Sequence, residues 1–196
     1  MLVPNNTQFF LDWAKERASE MDATLASLES KIGEIRAESR AAANEFIANL
    51  RAQCDTFRAS VEKQTQIGSV GWVQTKARLE KDWASFESQA SQYVENIGKQ
   101  VGQQQATFEL LVAAQLKIWR ETAEKIHVAA GQFTADRQRD IGATVERMKA
   151  DAAAAEEKLQ KLARAGTEPW SALNAALAEN RAAFDRATQT AWNAFK

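Results

Sequence analysis

From Trp72 to Ala163 one apolar stripe runs at helical spacing, with no proline to interrupt it. Leu79, Trp83, Phe86, Ala90, Tyr93, Ile97 and Val101 step by 3 or 4 residues, and Gln104, Phe108 and Leu111 carry the phase onward. A strand, with its period of two, cannot put such a series on one side. Further on, Ile141, Val145, Met148, Ala152, Ala155, Leu159 and Leu162 alternate steps of 4 and 3, the seam of a coiled coil. Read as one helix, about 92 residues would extend roughly 140 Å at 1.5 Å per residue. A helix that long cannot bury its stripe against itself, so it needs neighbours.

The rest of the chain supplies them. Gly (8), Pro (2) and Tyr (1) are scarce while Ala, Glu, Gln, Lys and Arg abound, so the class is all-α. Asn5, Asn6 and Thr7 after Pro4 predict a helix start near residue 6, whose face runs through Phe10, Trp13, Met21, Leu25, Leu28, Ile32 and Ile35 to Phe46, Leu50, Cys54, Phe57 and Val61. Gly33 falls inside it, where a glycine costs about 1 kcal/mol. The chain reverses at Ile67-Gly68-Ser69-Val70-Gly71, with Gly68 suited to a left-handed cap, and again at Ala165-Gly166-Thr167-Glu168-Pro169. The expected architecture is an elongated antiparallel helical bundle or coiled coil of three helices, about 6–66, 72–164 and 168–195, with a very long central one. In it the first helix pairs with residues 72 to about 131 and the last with about 138 to 164. The glycines at Gly98 and Gly102 offer an alternative of four helices, with a break near 98–102.

Offsetting the chain by 98 residues aligns Gly68 with Gly166, Trp72 with Trp170, Ala77 with Ala175, Leu79 with Leu177, Ala84 with Ala182 and Phe86 with Phe184. Those 6 identities fall within 19 positions, against only 13 over all 98 pairs. The reading is therefore two helical hairpin repeats, 1–98 and 99–196, in one continuous elongated unit.

With 25 basic and 26 acidic residues well mixed, no long-range field favours nucleic acid or an anionic membrane, and nucleic acid is not an expected partner. Cys54, the only cysteine, lies between Leu50 and Phe57 as a small apolar core residue. MLVPNNTQFF lacks the basic region and apolar run of a signal peptide, so a cytoplasmic protein is expected. Glu124 and His127 stand at i, i+3, the spacing of one ligand pair in di-iron bundles, but such a site needs a second pair and His127 is the only histidine. A solvated surface pair is the expectation. Phosphate loops, nucleophile elbows and Cys/His clusters are missing from the sequence, so no catalytic, cofactor-binding or metal residue is assigned and no enzyme is expected.

Six Trp and nine Phe are many for a coiled coil, whose seam is usually Leu. Most should be core, but Trp119 beside Ile118 and Trp192 beside Ala191 lie just off the seam and form the candidate interaction face. The segments Ala113-Ala114-Gln115-Leu116-Lys117-Ile118-Trp119-Arg120-Glu121-Thr122 and Trp170-Ser171-Ala172-Leu173-Asn174-Ala175-Ala176-Leu177-Ala178-Glu179-Asn180-Arg181-Ala182-Ala183-Phe184-Asp185 resemble Ala-rich bacterial coiled-coil proteins of uncharacterised function. In composition the chain is similar to phasins, which coat polyester granules, and to apolipoprotein-type amphipathic helices. That similarity implies surface coating and carries over no active site. The stripe itself is narrow, as for a protein partner. The favoured reading is a non-enzymatic rod-like scaffold or protein-interaction protein that self-associates, as a homodimer or higher homo-oligomer, through long helices. A coat for a lipid or polyester surface is the alternative.

Overall fold

The computed structural model describes residues 5–67, 71–166 and 168–195. Among these the chain forms six α-helices and no strand: α1 (Asn5–Ser30), α2 (Ala37–Ile67), α3 (Trp72–Asn96), α4 (Gln103–Ala130), α5 (Ala135–Ala165) and α6 (Trp170–Asn193). The all-α class stands, but the three-helix architecture with one long central helix does not. The 72–164 stripe is cut twice, at Gly98–Gly102 and at Gly131–Thr134, and the 6–66 stripe once, between Ser30 and Ala37.

Each break has a local cause. Between α1 and α2 a 3-10 turn, Ile32–Glu34, ends on Ile35 in extended backbone, and Arg40 Nη2 donates to the carbonyls of Gly33 (3.1 Å) and Ile35 (3.0 Å). Gly33 is thus part of a bend, not of a helix interior. Between α4 and α5, Gln138 Nε2 does the same for the carbonyls of Gly131 (3.3 Å) and Phe133 (2.8 Å). In both, a side chain from the next helix satisfies carbonyls that a helix end leaves without partners. Between α3 and α4 a 3-10 turn, Gly98–Val101, closes on Gly102 at φ 65, the left-handed region that only glycine enters freely. Gly166 takes the same conformation (φ 66) as the C-cap of α5, as expected; Gly68 lies outside the described residues.

The helices fall into two copies of one motif. α4, α5 and α6 begin at 103, 135 and 170, each 98 residues after α1, α2 and α3 at 5, 37 and 72. Arg40 and Gln138 are also 98 apart. Buried positions recur at the same offset: Phe10 and Phe108, Met21 and Trp119, Leu28 and Ile126, Ile47 and Val145, Leu50 and Met148, Leu79 and Leu177, Phe86 and Phe184. Each repeat is therefore a three-helix up-down-up unit, where a two-helix hairpin was expected.

The antiparallel pairings expected of the long hairpin survive the breaks. α1 runs against α4, where Lys125 Nζ reaches Asp12 Oδ1 at 2.7 Å and Ser27 Oγ reaches Thr107 Oγ1 at 2.7 Å. α2 runs against α3, with Gln53 on Gln89, and α5 against α6, with Lys158 on Glu179 at 2.6 Å. What differs is that the hairpin is doubled back, so that α1 also packs antiparallel on α2 and on α6. At 1.5 Å per residue, helices of this length give a bundle about 36–47 Å long, not a 140 Å rod. The accessible surface, 10556 Å², compares with about 9,200 Å² for a folded monomer of this mass. One chain thus covers its own apolar stripe, which removes the burial argument for a partner along its length.

Candidate functional site

Polar burial is distributed unevenly. Of the 15 buried polar side chains among the described residues, all but Gln64 lie on α1, α4 and α6. These helices form the seam between the repeats. The outer helices bury apolar faces instead: Ala43, Ile47, Leu50, Cys54 and Phe57 on α2, and Ile141, Val145, Met148, Ala152 and Leu159 on α5.

The source is one stripe of α1. Asp12, Glu16, Glu20 and Thr24 recur every fourth residue and are all buried, with Arg17 beside them. Arg17 Nη1 lies 2.9 Å from Glu16 Oε2 and 3.3 Å from Glu20 Oε1, and its Nη2 is 3.2 Å from Asp185 Oδ2 on α6. Arg181 answers from α6, with Nε 2.9 Å from Glu20 Oε2 and Nη1 2.6 Å from Glu87 Oε1 on α3. Both guanidinium groups lie over the Trp83 ring, at 5.5 and 5.3 Å from its centroid, so α3 contributes a cation–π platform. Four carboxylates thus share two arginines.

That imbalance shows in the titration of the group. Burial pushes the Glu16 carboxyl well above the usual range, with the charge of Arg17 pulling it back only in part. Neither of its oxygens accepts a hydrogen bond from the protein. Asp185 is raised for the same reason, burial, again partly offset by Arg17. Burial also works against the charge of Arg181, but Glu20 and Glu87 outweigh it and raise its pKa.

Towards the start of α1 the seam continues as Asp12, whose Oδ2 accepts from Trp192 Nε1 at 2.8 Å while Oδ1 takes Lys125. Towards its end, Gln103 Nε2 donates to the carbonyl of Ser27 at 2.6 Å; beside the seam, within the second repeat, Asn180 Nδ2 donates to Gln115 Oε1 at 2.6 Å. The opening beside Glu20, Glu87, Arg181 and Trp83 is about 30 Å³, room for about two waters and not for a substrate. The seam is a set of ion pairs holding two repeats together.

The candidate face at Trp119 and Trp192 is inside the protein. Trp119 is 2% exposed and packs tilted against Phe184, with ring centroids 5.6 Å apart; Trp192 is 7% exposed and hydrogen-bonded to Asp12. Neither ring is presented to a partner. Both lie at contacts of α4 or α6 with other helices of the same chain, which a single-helix seam could not show. Glu124 and His127 are exposed on α4, and no group of three or more His, Cys, Asp or Glu able to hold a metal occurs among the described residues. Cys54 is buried, as expected, and burial with the nearby charge of Asp55 pushes its thiol up to about 11. No described helix is long and apolar enough to cross a membrane.

The buried stripe on α1 was missed because acidic residues were read as solvated. Two signals were available: the face skips from Trp13 to Met21, and Asp12, Glu16 and Glu20 repeat one charge at i, i+4 where a solvated face would alternate signs. Comparison with known proteins matches no family model, no curated protein and no solved structure.

Proposed function

We propose that this chain is a non-catalytic binding protein that coats an apolar surface, its bundle opening along the seam between the repeats. The observation that carries the reading is the concentration of buried polar side chains on α1, α4 and α6. Separating an apolar interface exposes carbon to water, but separating this one returns carboxylates, guanidinium groups and amides to solvent and recovers much of their desolvation. On this reading the repeats part from one another while the helices within each stay together, and parting uncovers the apolar residues interspersed along α4, such as Phe108, Leu111 and Leu116, which share one core with α1 in the closed bundle.

First contact falls at the end of the bundle where α1 begins. Of the four exposed large hydrophobics among the described residues, three are there: Val73 (81% exposed), Val128 (65%) and Ile67 (48%). Half-buried Phe9, Trp72, Phe133 and Phe195 accompany them. Balanced charge makes the attraction apolar rather than ionic, so binding to neutral lipid emulsions is expected to match binding to anionic ones and to survive salt.

The test is flotation with neutral triglyceride emulsions or polyester granules. A covalent link across the seam, made with a short bismaleimide between Lys15→Cys and Glu121→Cys, should abolish flotation and reduction of a cleavable version should restore it. Their native side chains meet at 2.5 Å. A protein that never floats ends the coating reading; one that floats equally well when linked ends the opening mechanism.

A further inference from the structure

We infer that the chain also forms a domain-swapped dimer, in which residues 97–102 straighten into helix and repeat one of each copy packs on repeat two of the other. This inference stands apart from the surface reading, since it needs no apolar phase.

Ile97, Val101 and Phe108 keep one helical phase through residues that the structure folds into a 3-10 turn. The turn depends on glycine at both ends. A Cβ at Gly98 would lie 3.1 Å from Gln103 Cβ, and Gly102 sits at φ 65. A straight helix makes neither demand and keeps the apolar phase of Ile97, Val101 and Phe108 unbroken, so the two glycines admit the turn and the closed repeats hold it.

What a second copy would bind is already defined. Polar ties between the repeats run from α1 to α4 and α6, with Arg181–Glu87 and Trp170–Ser91 joining α6 to α3. None of these requires the two repeats to belong to one chain. A swap therefore reproduces every seam contact and alters only the connector, the condition under which exchange of an identical element is cheap. Because α3 and α4 leave the turn in opposite directions, straightening carries repeat two beyond the end of its own repeat one. The dimer would be two bundles placed end to end, crossed by two helices spanning residues 72–130.

The test is light scattering after refolding at high protein concentration, combined with the same cysteine pair in a Cys54→Ala background. In the closed monomer the bismaleimide joins residues 15 and 121 within one chain; in the swapped dimer it joins two chains and doubles the mass on a denaturing gel. The native connector should yield an inter-chain product in the dimer fraction. Gly98→Ala with Gly102→Ala should raise that fraction by about tenfold or more, as each alanine disfavours the turn and favours the helix. Four Gly-Ser residues inserted after Gly98 should remove it. Should the alanine variant fail to fold, the native and lengthened connectors still decide. Cross-links confined within chains at every concentration, or a dimer that persists unchanged with the lengthened connector, would overturn the proposal.

Discussion

Glu16 is the residue at which composition and environment disagree most. It is an ordinary helix former by type, yet it sits fully buried beside Glu20 and Asp185 with its carboxylate oxygens unbonded. Its raised pKa means the folded chain binds a proton more tightly than the unfolded one. That contribution is complete below the unfolded value of 4.5 and is lost as pH rises through the folded value, and Asp185 acts in the same sense. Thermal unfolding followed from about pH 5 to pH 8 should therefore show a falling midpoint. Glu16→Gln should flatten that slope and raise stability at the alkaline end by about 1 kcal/mol or more. A steeper slope in the variant would show that Arg17 depends on Glu16 more than on its other partners. Arg181 should behave in the opposite way: Arg181→Met leaves buried Glu20 with Arg17 alone and takes from Glu87 its arginine, and is expected to cost about 3 kcal/mol in urea unfolding.

At the level of elements, the outer helices follow the rule that the seam breaks. α2 and α5 bury apolar residues at steps of 4 and 3, so their faces were legible from spacing alone. Leu50→Ala and Met148→Ala occupy equivalent places in the two repeats, and each should cost about 2–5 kcal/mol by denaturant midpoint. The bends are held less strongly. Arg40→Ala and Gln138→Ala each free two carbonyls that can turn to solvent, at about 1 kcal/mol apiece. A loss from Arg40→Ala as large as that from Leu50→Ala would mean that the bend, rather than packing, dictates where α1 and α2 part. The bends were hard to read because the apolar phase passes through them: Ile32 and Ile35 flank Gly33 at helical spacing, as Ile97 and Val101 flank Gly98. Glycine at one position signals a weak point in a helix, but packing of the flanking helices decides whether it folds.

For the whole molecule, doubling back turns a rod into a bundle. Scattering from the monomer should give a radius of gyration near the roughly 16 Å of a spherical domain of this length, a few ångströms more for a cylinder, against about 40 Å for a 140 Å rod. A monomer at the larger value would restore the extended hairpin. The duplication belongs to this scale too. Only the turn before α3 and its counterpart before α6 keep enough identity to be seen in sequence, whereas Met21 and Trp119, or Leu50 and Met148, share burial and nothing else. Core positions tolerate exchange among apolar side chains of suitable volume, so the pattern outlives the letters.

By itself the sequence determined that the chain is helical, where α2, α3, α5 and α6 present their apolar faces, and that α1 runs against α4, α2 against α3 and α5 against α6, because these depend on periodicity and on the turns. It did not determine the doubling back that also sets α1 on α2 and α4 on α5. Only the tertiary structure decided that α1 lies inside with Asp12, Glu16, Arg17 and Glu20 buried. A carboxylate's burial depends on whether arginines from distant helices reach it, and Arg181 is 161 residues from Glu20. No local period encodes that meeting.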